Sequence, residues 1–167
     1  HYVAHRGGAA QVSHAVLGGT PNHGVWADPA FLPTSEFNGT GPLLTALNRQ
    51  GGAGLETTPG VQWLTIRSDG NDKYAQPDGR WIGAPALATR VGFDGPALRG
   101  ATNVVIPGID HRETAFGAAA FGETFRFVTG RAPATLQALV QPRVVLGGIV
   151  SGLGLDNRPG SGDFVNN

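Results

Sequence analysis

Three short apolar runs, each followed by a turn-rich segment, constrain this chain more than any other feature of its sequence. The runs cover residues 12–17, 61–67 and 101–106, and helical or loop segments separate them. Runs that are apolar throughout are typical of parallel strands covered on both faces, whereas a strand with one wet face alternates in polarity. The sequence therefore predicts the α/β class, with three parallel strands that make up part of a sheet.

Three helices are predicted around these strands. Residues 1–5 have the character of a helix end closed by glycines, and residues 42–48 form a short helix that begins at Pro42. Residues 114–129 form a longer helix that ends at Gly130. Because the apolar side chains of this longer helix fall on more than one side, we expect it to be buried on several sides.

Two further regions lack a helical or alternating pattern. Residues 73–100 form a connection rich in glycine and proline, with the length that functional loops and lids have. Residues 143–151 form a strand-like run, and residues 156–167 are polar and rich in turn formers. We therefore divide the chain into residues 1–133, which carry the parallel sheet with its flanking helices, and residues 134–167, a linker and the first strand of a possible β-sandwich module.

Composition excludes several kinds of partner. Twelve basic residues balance twelve acidic ones without a run of like charge, so nothing favours nucleic acid as a partner. Cysteine is absent, which excludes disulfides and thiolate metal sites, and no apolar run approaches the ~20 residues of a membrane span. Charged residues are only 14% of the chain, which predicts apolar surface that is exposed or covered by another polypeptide.

Asp72 and His111 are the candidate catalytic residues. Each follows a predicted strand, and the loops at the carboxyl ends of parallel strands are where open sheets bind ligands. A serine nucleophile needs a histidine to take its proton and a carboxylate to orient that histidine. The order acid then histidine is that of α/β-hydrolase triads, yet the chain contains no Gly-x-Ser-x-Gly turn for the serine.

Several polar residues near this predicted site have competing interpretations. Asp69 is a rival to Asp72 as the acid, and either aspartate could instead cap a turn. His23 could contribute directly or form a hydrogen bond within its loop. Asp110 and Glu113 flank the histidine, and solvation or support of that residue explains them better than a metal site does, because no further ligands have suitable spacing. We predict no metal and no cofactor.

Other candidates are weaker. Trp81 and Phe93 could line a substrate pocket or only anchor the 73–100 connection by burial. Asn38 begins an Asn-Gly-Thr glycosylation sequon, a pattern short enough to occur by chance. The remaining histidines, which we interpret as surface or helix-packing residues, are His1, His5 and His14.

Over about residues 1–131, the sequence resembles the C-terminal half of the catalytic domain of bacterial secreted lipases of the α/β-hydrolase superfamily. The segments that carry this resemblance are Pro-Leu-Leu-Thr-Ala-Leu-Asn at 42–48, Glu-Thr-Thr-Pro-Gly at 56–60, Trp-Leu-Thr-Ile-Arg-Ser at 63–68, Asp-Lys-Tyr-Ala-Gln-Pro at 72–77, Gly-Ala-Thr-Asn-Val-Val at 100–105 and Gly-Ile-Asp-His at 108–111.

The resemblance implies the C-terminal half of an α/β-hydrolase parallel sheet, with Asp72 as the triad acid, His111 as the triad base and residues 18–24 as scaffold near the site. It implies a lipase, esterase or polyester depolymerase that acts on an ester substrate and is secreted or periplasmic. The nucleophile is then expected upstream of residue 1, in the complementary N-terminal half, so that this chain alone is inactive. The alternative is a non-catalytic subunit that binds a complementary polypeptide carrying the nucleophile.

Overall fold

The computed structural model describes residues 1–49, 54–68, 80–81, 84–88, 91, 95–140, 142–143 and 145. The chain divides into two compact units, His1–Gln137 and Ala138–Asn167. The first unit holds all the helices and strands that the structure describes. The predicted strand at residues 143–151 lies largely outside the described residues, and the predicted boundary after residue 133 stays a prediction.

The first unit is built from short strands and short helices. In chain order its elements are α1 (Tyr2–His5), a 3₁₀ helix (Gly8–Ala10), β1 (His14–Gly18), α2 (Pro42–Leu47), β2 (Gln62–Ser68), β3 (Arg80–Trp81), β4 (Ala84–Ala88), β5 (Thr102–Ile106), α3 (Glu113–Phe116) and α4 (Ala118–Thr129). None of the helices in the described part of the chain has the length and apolar character that crossing a bilayer requires.

A three-stranded parallel sheet is the centre of this unit. Strand β2 lies in the middle and pairs in parallel with β1 on one side and with β5 on the other. All three strands lie at the predicted apolar runs, so the prediction of an α/β chain with a parallel sheet is confirmed. Parallel pairing brings the carboxyl ends of the three strands to one edge of the sheet.

Helix α4 covers one face of the sheet. Leu64 and Ile66 of β2 are almost fully buried together with Ala120 of α4. Partly buried apolar side chains surround this cluster, namely Val104, Ile106 and Phe127. Burying a leucine or isoleucine side chain stabilises a fold by about 1.5–3 kcal/mol, so this small core fixes the middle strand relative to α4.

The predicted single helix over residues 114–129 is two helices. Helix α3 ends at Phe116, and Gly117 has an extended backbone before α4 begins. A Cβ atom at Gly117 would lie 2.7 Å from the carbonyl oxygen of Glu113, so the chain turns here with little space for a side chain. The predicted end of the longer helix is confirmed, because Gly130 has φ 73° and closes α4 in the left-handed conformation.

The expectation that this helix is buried on several sides is wrong for the described part of the chain. Helix α4 buries Ala120 and Gly122, whereas Phe121 and Val128 are 46% and 47% exposed. Phe116 of α3 is 72% exposed. The apolar side chains thus cover one face of the sheet and leave a second group of large apolar side chains on the surface.

The long connection at residues 73–100 also differs from its prediction. Strands β3 and β4 pair antiparallel within it, with an irregularity between Arg80 and Trp81. The sequence Ala-Pro-Ala-Leu-Ala of β4 does not predict a strand, because alanine and proline are uncommon in sheets. The remainder of this connection is described only at residue 91 and from residue 95 onward.

Candidate functional site

A cavity of about 370 Å³ opens beside the carboxyl ends of β1 and β2. Gly19, which follows β1, and Ser68, which ends β2, both line it, and so does His111 from the turn after β5. Apolar side chains form much of the remaining wall, namely Val25, Trp26, Phe37, Val91, Pro96 and Leu98. A concave, largely apolar wall with a few polar groups is typical of sites that bind small molecules.

His111 lies in the turn that connects β5 to α3. Its carbonyl oxygen accepts a 2.6 Å hydrogen bond from the hydroxyl of Thr114, whose residue is 2% exposed. The ring packs against the loop after β1: a Cβ atom at Gly19 would lie 2.8 Å from His111 Cε1 and 2.9 Å from Nδ1. Gly19 has φ 59°, so both the backbone conformation and the closeness of the ring require glycine there. The imidazole therefore lies against the loop after β1, at the cavity wall.

Asp110 and Glu113 hold the backbone on either side of His111. The Asp110 carboxylate accepts the N–H of Glu113 at 2.9 Å, and the Glu113 carboxylate accepts the N–H of Asp110 at 2.8 Å. This reciprocal pair has the pattern of a capping box and closes the turn that leads into α3. Both carboxylates are therefore engaged by backbone N–H groups of this turn. Among the described residues, no group of three or more histidine, cysteine or acidic side chains could hold a metal ion.

Charge reinforces this turn. Asp110 also accepts the backbone N–H of Arg112 at 2.8 Å and forms an ion pair with its guanidinium at 2.9 Å. The hydrogen bond from the Glu113 backbone and those from Arg112 hold the pKa of Asp110 below its ordinary value. Asp110 is therefore ionised at neutral pH, in the form that accepts all these hydrogen bonds.

The loop over residues 19–24 is fixed at both ends. Its first residue, Gly19, donates its N–H to the carbonyl oxygen of Ile66 in β2 at 2.9 Å. Near its other end, His23 Nε2 lies 3.0 Å from Glu56 Oε1. His23 lines the cavity, so its side chain belongs to the same wall as His111.

Glu56 is a buried carboxylate that sequence reasoning did not single out. Its side chain is 5% exposed, and besides His23 it accepts the backbone N–H of Arg99 at 2.9 Å and contacts the Arg99 guanidinium at 3.1 Å. Burial by itself raises the pKa of Glu56, but the hydrogen bonds from Arg99 and His23 and their charges outweigh it, so the pKa lies below its ordinary value. Its partners are distant in sequence, which is why no local motif reveals it.

The wall of the cavity between β2 and β5 depends on a network around Asn103. Thr65 donates its hydroxyl to Asn103 Oδ1 at 2.9 Å, and the backbone N–H of Leu98 donates to the same oxygen at 3.0 Å. Asn103 Nδ2 in turn donates to the carbonyl oxygen of Leu98 at 3.0 Å. The turn at residues 98–101, which leads into β5, is therefore tied to the sheet on the cavity side.

The structure describes only some of the other residues that the sequence analysis singled out. Asp72, its rival Asp69, and Phe93 lie outside the described residues. Trp81 is part of β3, and its contact with substrate stays a prediction. Of the other histidines, His1 and His5 pack ring against ring on α1 at 4.9 Å, and His14 packs edge-on against Phe127 at 5.3 Å.

Asn38 is a structural residue in the folded chain. It is fully buried, and its Nδ2 donates to the carbonyl oxygens of Asp28, Phe31 and Leu32. Its Oδ1 accepts both the backbone N–H and the hydroxyl of Thr40. A glycan on this amide would displace these hydrogen bonds, so the sequon does not mark a modification site of the folded protein.

Comparison with known proteins adds no family to these observations. No family model matches the chain, and no curated protein matches its sequence.

Proposed function

We propose that this chain is the acid- and base-bearing part of a serine ester hydrolase, with His111 as the general base and Asp72 as the residue that orients it. The observation that carries the proposal is the position of His111. Its imidazole lies in the wall of a largely apolar cavity at the carboxyl edge of a parallel sheet, close to Gly19, and its backbone belongs to the hydrogen-bonded turn before α3. A catalytic base needs this combination of fixed orientation and access to substrate.

The proposed chemistry is acyl transfer in two steps. His111 takes the proton of the serine hydroxyl while the serine oxygen bonds to the ester carbonyl carbon, and His111 then gives that proton to the departing alcohol. In the second step His111 takes a proton from water, the water oxygen attacks the acyl-enzyme, and the carboxylic acid leaves as the serine regains its proton. Asp72 stabilises the imidazolium that forms in both steps.

The proposed nucleophile lies upstream of residue 1 in the complete protein, because α/β-hydrolase triads run serine, acid, histidine along the chain. The proposed fold is accordingly the C-terminal half of an α/β-hydrolase sheet, followed by a β-rich module. The apolar cavity and the zero net charge favour a neutral ester with an apolar acyl group, as in lipases, esterases and polyester depolymerases. We propose that Trp81 and Phe93 contribute to its binding, and that the protein is secreted or periplasmic as in the group it resembles.

The proposal is tested with a fluorophosphonate probe and an ester substrate on the protein that joins this chain to its upstream sequence. We expect the probe to label a serine before residue 1, and Asp72→Asn to lower kcat by about 10⁴, as in other triads. Asp69→Asn is the matched control, and we expect it to retain activity. Labelling of Ser68, which lines the same cavity as His111, would show that the nucleophile is assigned wrongly.

A second candidate function is that of a subunit that binds a complementary polypeptide. The observation that favours it is apolar exposure on both outer strands, where Val16 of β1 and Val105 of β5 are 37% and 39% exposed. Within the described part of the chain, each of these strands pairs with β2 alone. Strand edges with apolar side chains are favourable sites for another chain to add to the sheet. If the 167-residue chain sediments as a monomer and also unfolds cooperatively in a denaturation experiment, these results would count against this function.

A further inference from the structure

We propose that Glu56 is a positioning residue for His111, and that it acts through His23 and the 19–24 loop. This inference rests on the proposed function, since it assigns a residue to the same catalytic site. Glu56 does not itself line the cavity, and it reaches the cavity wall through its hydrogen bond with His23. Its role follows from what the 19–24 loop contacts at its two ends.

The first step of the argument is the hydrogen bond between His23 and Glu56. A carboxylate can only accept hydrogen bonds. His23 Nε2 therefore carries a hydrogen and donates a hydrogen bond of 3.0 Å to Glu56 Oε1. Glu56 is 5% exposed on its side chain and His23 16%, so water competes little for this bond. Hydrogen bonds that involve a charged group and are shielded from water are stronger than exposed ones.

The second step is that Glu56 is itself fixed. Its backbone N–H donates to the carbonyl oxygen of Arg99 at 2.8 Å, and its Oε2 accepts the N–H of the same residue at 2.9 Å. Residue 99 belongs to the turn that Asn103 ties to the sheet immediately before β5. Glu56 therefore connects the loop after β1 to the start of the strand that leads to His111.

The third step concerns Gly19, at the opposite end of the 19–24 loop from His23. Gly19 packs against the His111 ring closely enough that even a methyl group there would overlap it. Two hydrogen bonds turn the loop over residues 20–24, since the N–H of Asn22 donates to the carbonyl oxygen of Thr20 at 2.9 Å and that of Gly24 to the carbonyl oxygen of Pro21 at 2.9 Å. A loop this short transmits a displacement of His23 to Gly19. The histidine ring would then lose the surface that fixes its orientation, and a shift of about 1 Å at a catalytic group can cost about 100-fold in rate.

The test uses three variants in the complete protein. His23→Ala removes the hydrogen bond, and Glu56→Gln removes the negative charge that strengthens it. His23→Gln keeps an N–H donor at a similar reach. We expect the first two to lower kcat by about 10- to 100-fold with a much smaller change in KM, and His23→Gln to recover most of the rate. Glu123→Gln changes the same chemical group in an exposed ion pair with Arg126 on α4 and is the matched control. We expect it to match the wild type.

Two further readouts separate positioning from loss of structure. The ¹³Cε1 resonance of His111, assigned by its disappearance in His111→Gln, is expected to shift or broaden in His23→Ala but not in Glu123→Gln. The double variant His23→Ala with Glu56→Gln is expected to lose no more rate than either single variant, because both act through one interaction. If Glu56→Gln does not fold, the kcat and the His111 resonance of His23→Ala, with recovery in His23→Gln, test the inference.

An unchanged kcat and an unchanged His111 resonance in His23→Ala would overturn the inference. So would additive losses in the double variant. The resonance also distinguishes this failure from failure of the proposed function. If the complete protein hydrolyses no ester, yet the His111 resonance responds to Glu56→Gln, the hydrolase assignment is wrong and the structural connection is right.

Discussion

The imidazole of His111 lies against Gly19, so that a side chain at residue 19 would meet the ring at 2.8–2.9 Å. These residues are distant in sequence and follow two different outer strands of the parallel sheet. The contact therefore depends on the register of all three strands. It makes the loop after β1 part of the structure that orients the proposed base.

Gly19→Ala tests this contact. The methyl group would overlap the His111 ring, and the left-handed backbone adds strain of about 1–3 kcal/mol. We expect kcat for ester hydrolysis by the complete protein to fall by about 100-fold, because the base is displaced. Gly60→Ala is the control, since Gly60 has φ 82° but nothing lies within 4 Å of the position that a methyl group would take there. Equal losses of rate in the two variants would mean that backbone strain, not the contact with His111, is responsible.

The contribution of Glu56 to the stability of the fold is expected to depend on pH. Its pKa lies below the ordinary value of 4.5, so its contribution to stability is present above that pH and is lost as the pH falls through the pKa of the folded protein. We expect Glu56→Gln to lower the free energy of unfolding by about 2 kcal/mol at pH 7, because the hydrogen bonds and the ion pair with Arg99 lose their charged acceptor.

The measurement is thermal unfolding of wild type and Glu56→Gln between pH 7 and pH 3. The difference between their melting temperatures is expected to shrink towards the acid end of this range. Glu123→Gln is again the control, because its exposed ion pair contributes little to stability at any pH. A constant difference between wild type and Glu56→Gln at every pH would contradict the assigned ionisation of Glu56.

Asn38 provides a test of the fold that is independent of catalysis. Asn38→Ala leaves buried carbonyl groups and an N–H without their partner, so we expect a loss of at least about 2 kcal/mol in the free energy of unfolding. Asn38→Asp is expected to be no better at pH 7, since a carboxylate would face the three carbonyl oxygens. Thr40→Val removes only the hydrogen bond from the Thr40 hydroxyl to Asn38, so we expect a smaller loss in the free energy of unfolding.

Chemical denaturation of these three variants gives the comparison, and the intact mass after expression in a glycosylating host checks the sequon. We expect no added glycan at Asn38. An alanine variant as stable as the wild type, or a glycan on folded protein, would mean that Asn38 is not buried as the structure has it.

The strands and helices that form from local sequence could be predicted, and those that depend on distant contacts could not. Apolar runs located β1, β2 and β5, since each buried strand carries its own signal. Pro42 and Gly130 located a helix start and a helix end for the same reason. By contrast, the interruption at Gly117 is a single extended residue, and periodicity over a longer window does not detect it.

In the candidate site, too, some residues could be recognised from the sequence and others could not. The order of Asp72 and His111 and their places after two strands drew attention to them in the sequence. Glu56 was not recognised, because its partners His23 and Arg99 are 33 and 43 residues away and no spacing rule relates them. A buried carboxylate becomes conspicuous only once its surroundings are known, since burial without partners would be too costly.

The central claim is that His111 is the general base of an ester hydrolase, and its most direct test is the steady-state hydrolysis of a p-nitrophenyl ester by the complete protein and its His111→Ala variant. Removing the base from a triad lowers kcat by about 10⁶, so we expect turnover by the variant to fall close to background while its fold is retained. Near-normal turnover by a folded His111→Ala protein would contradict the account.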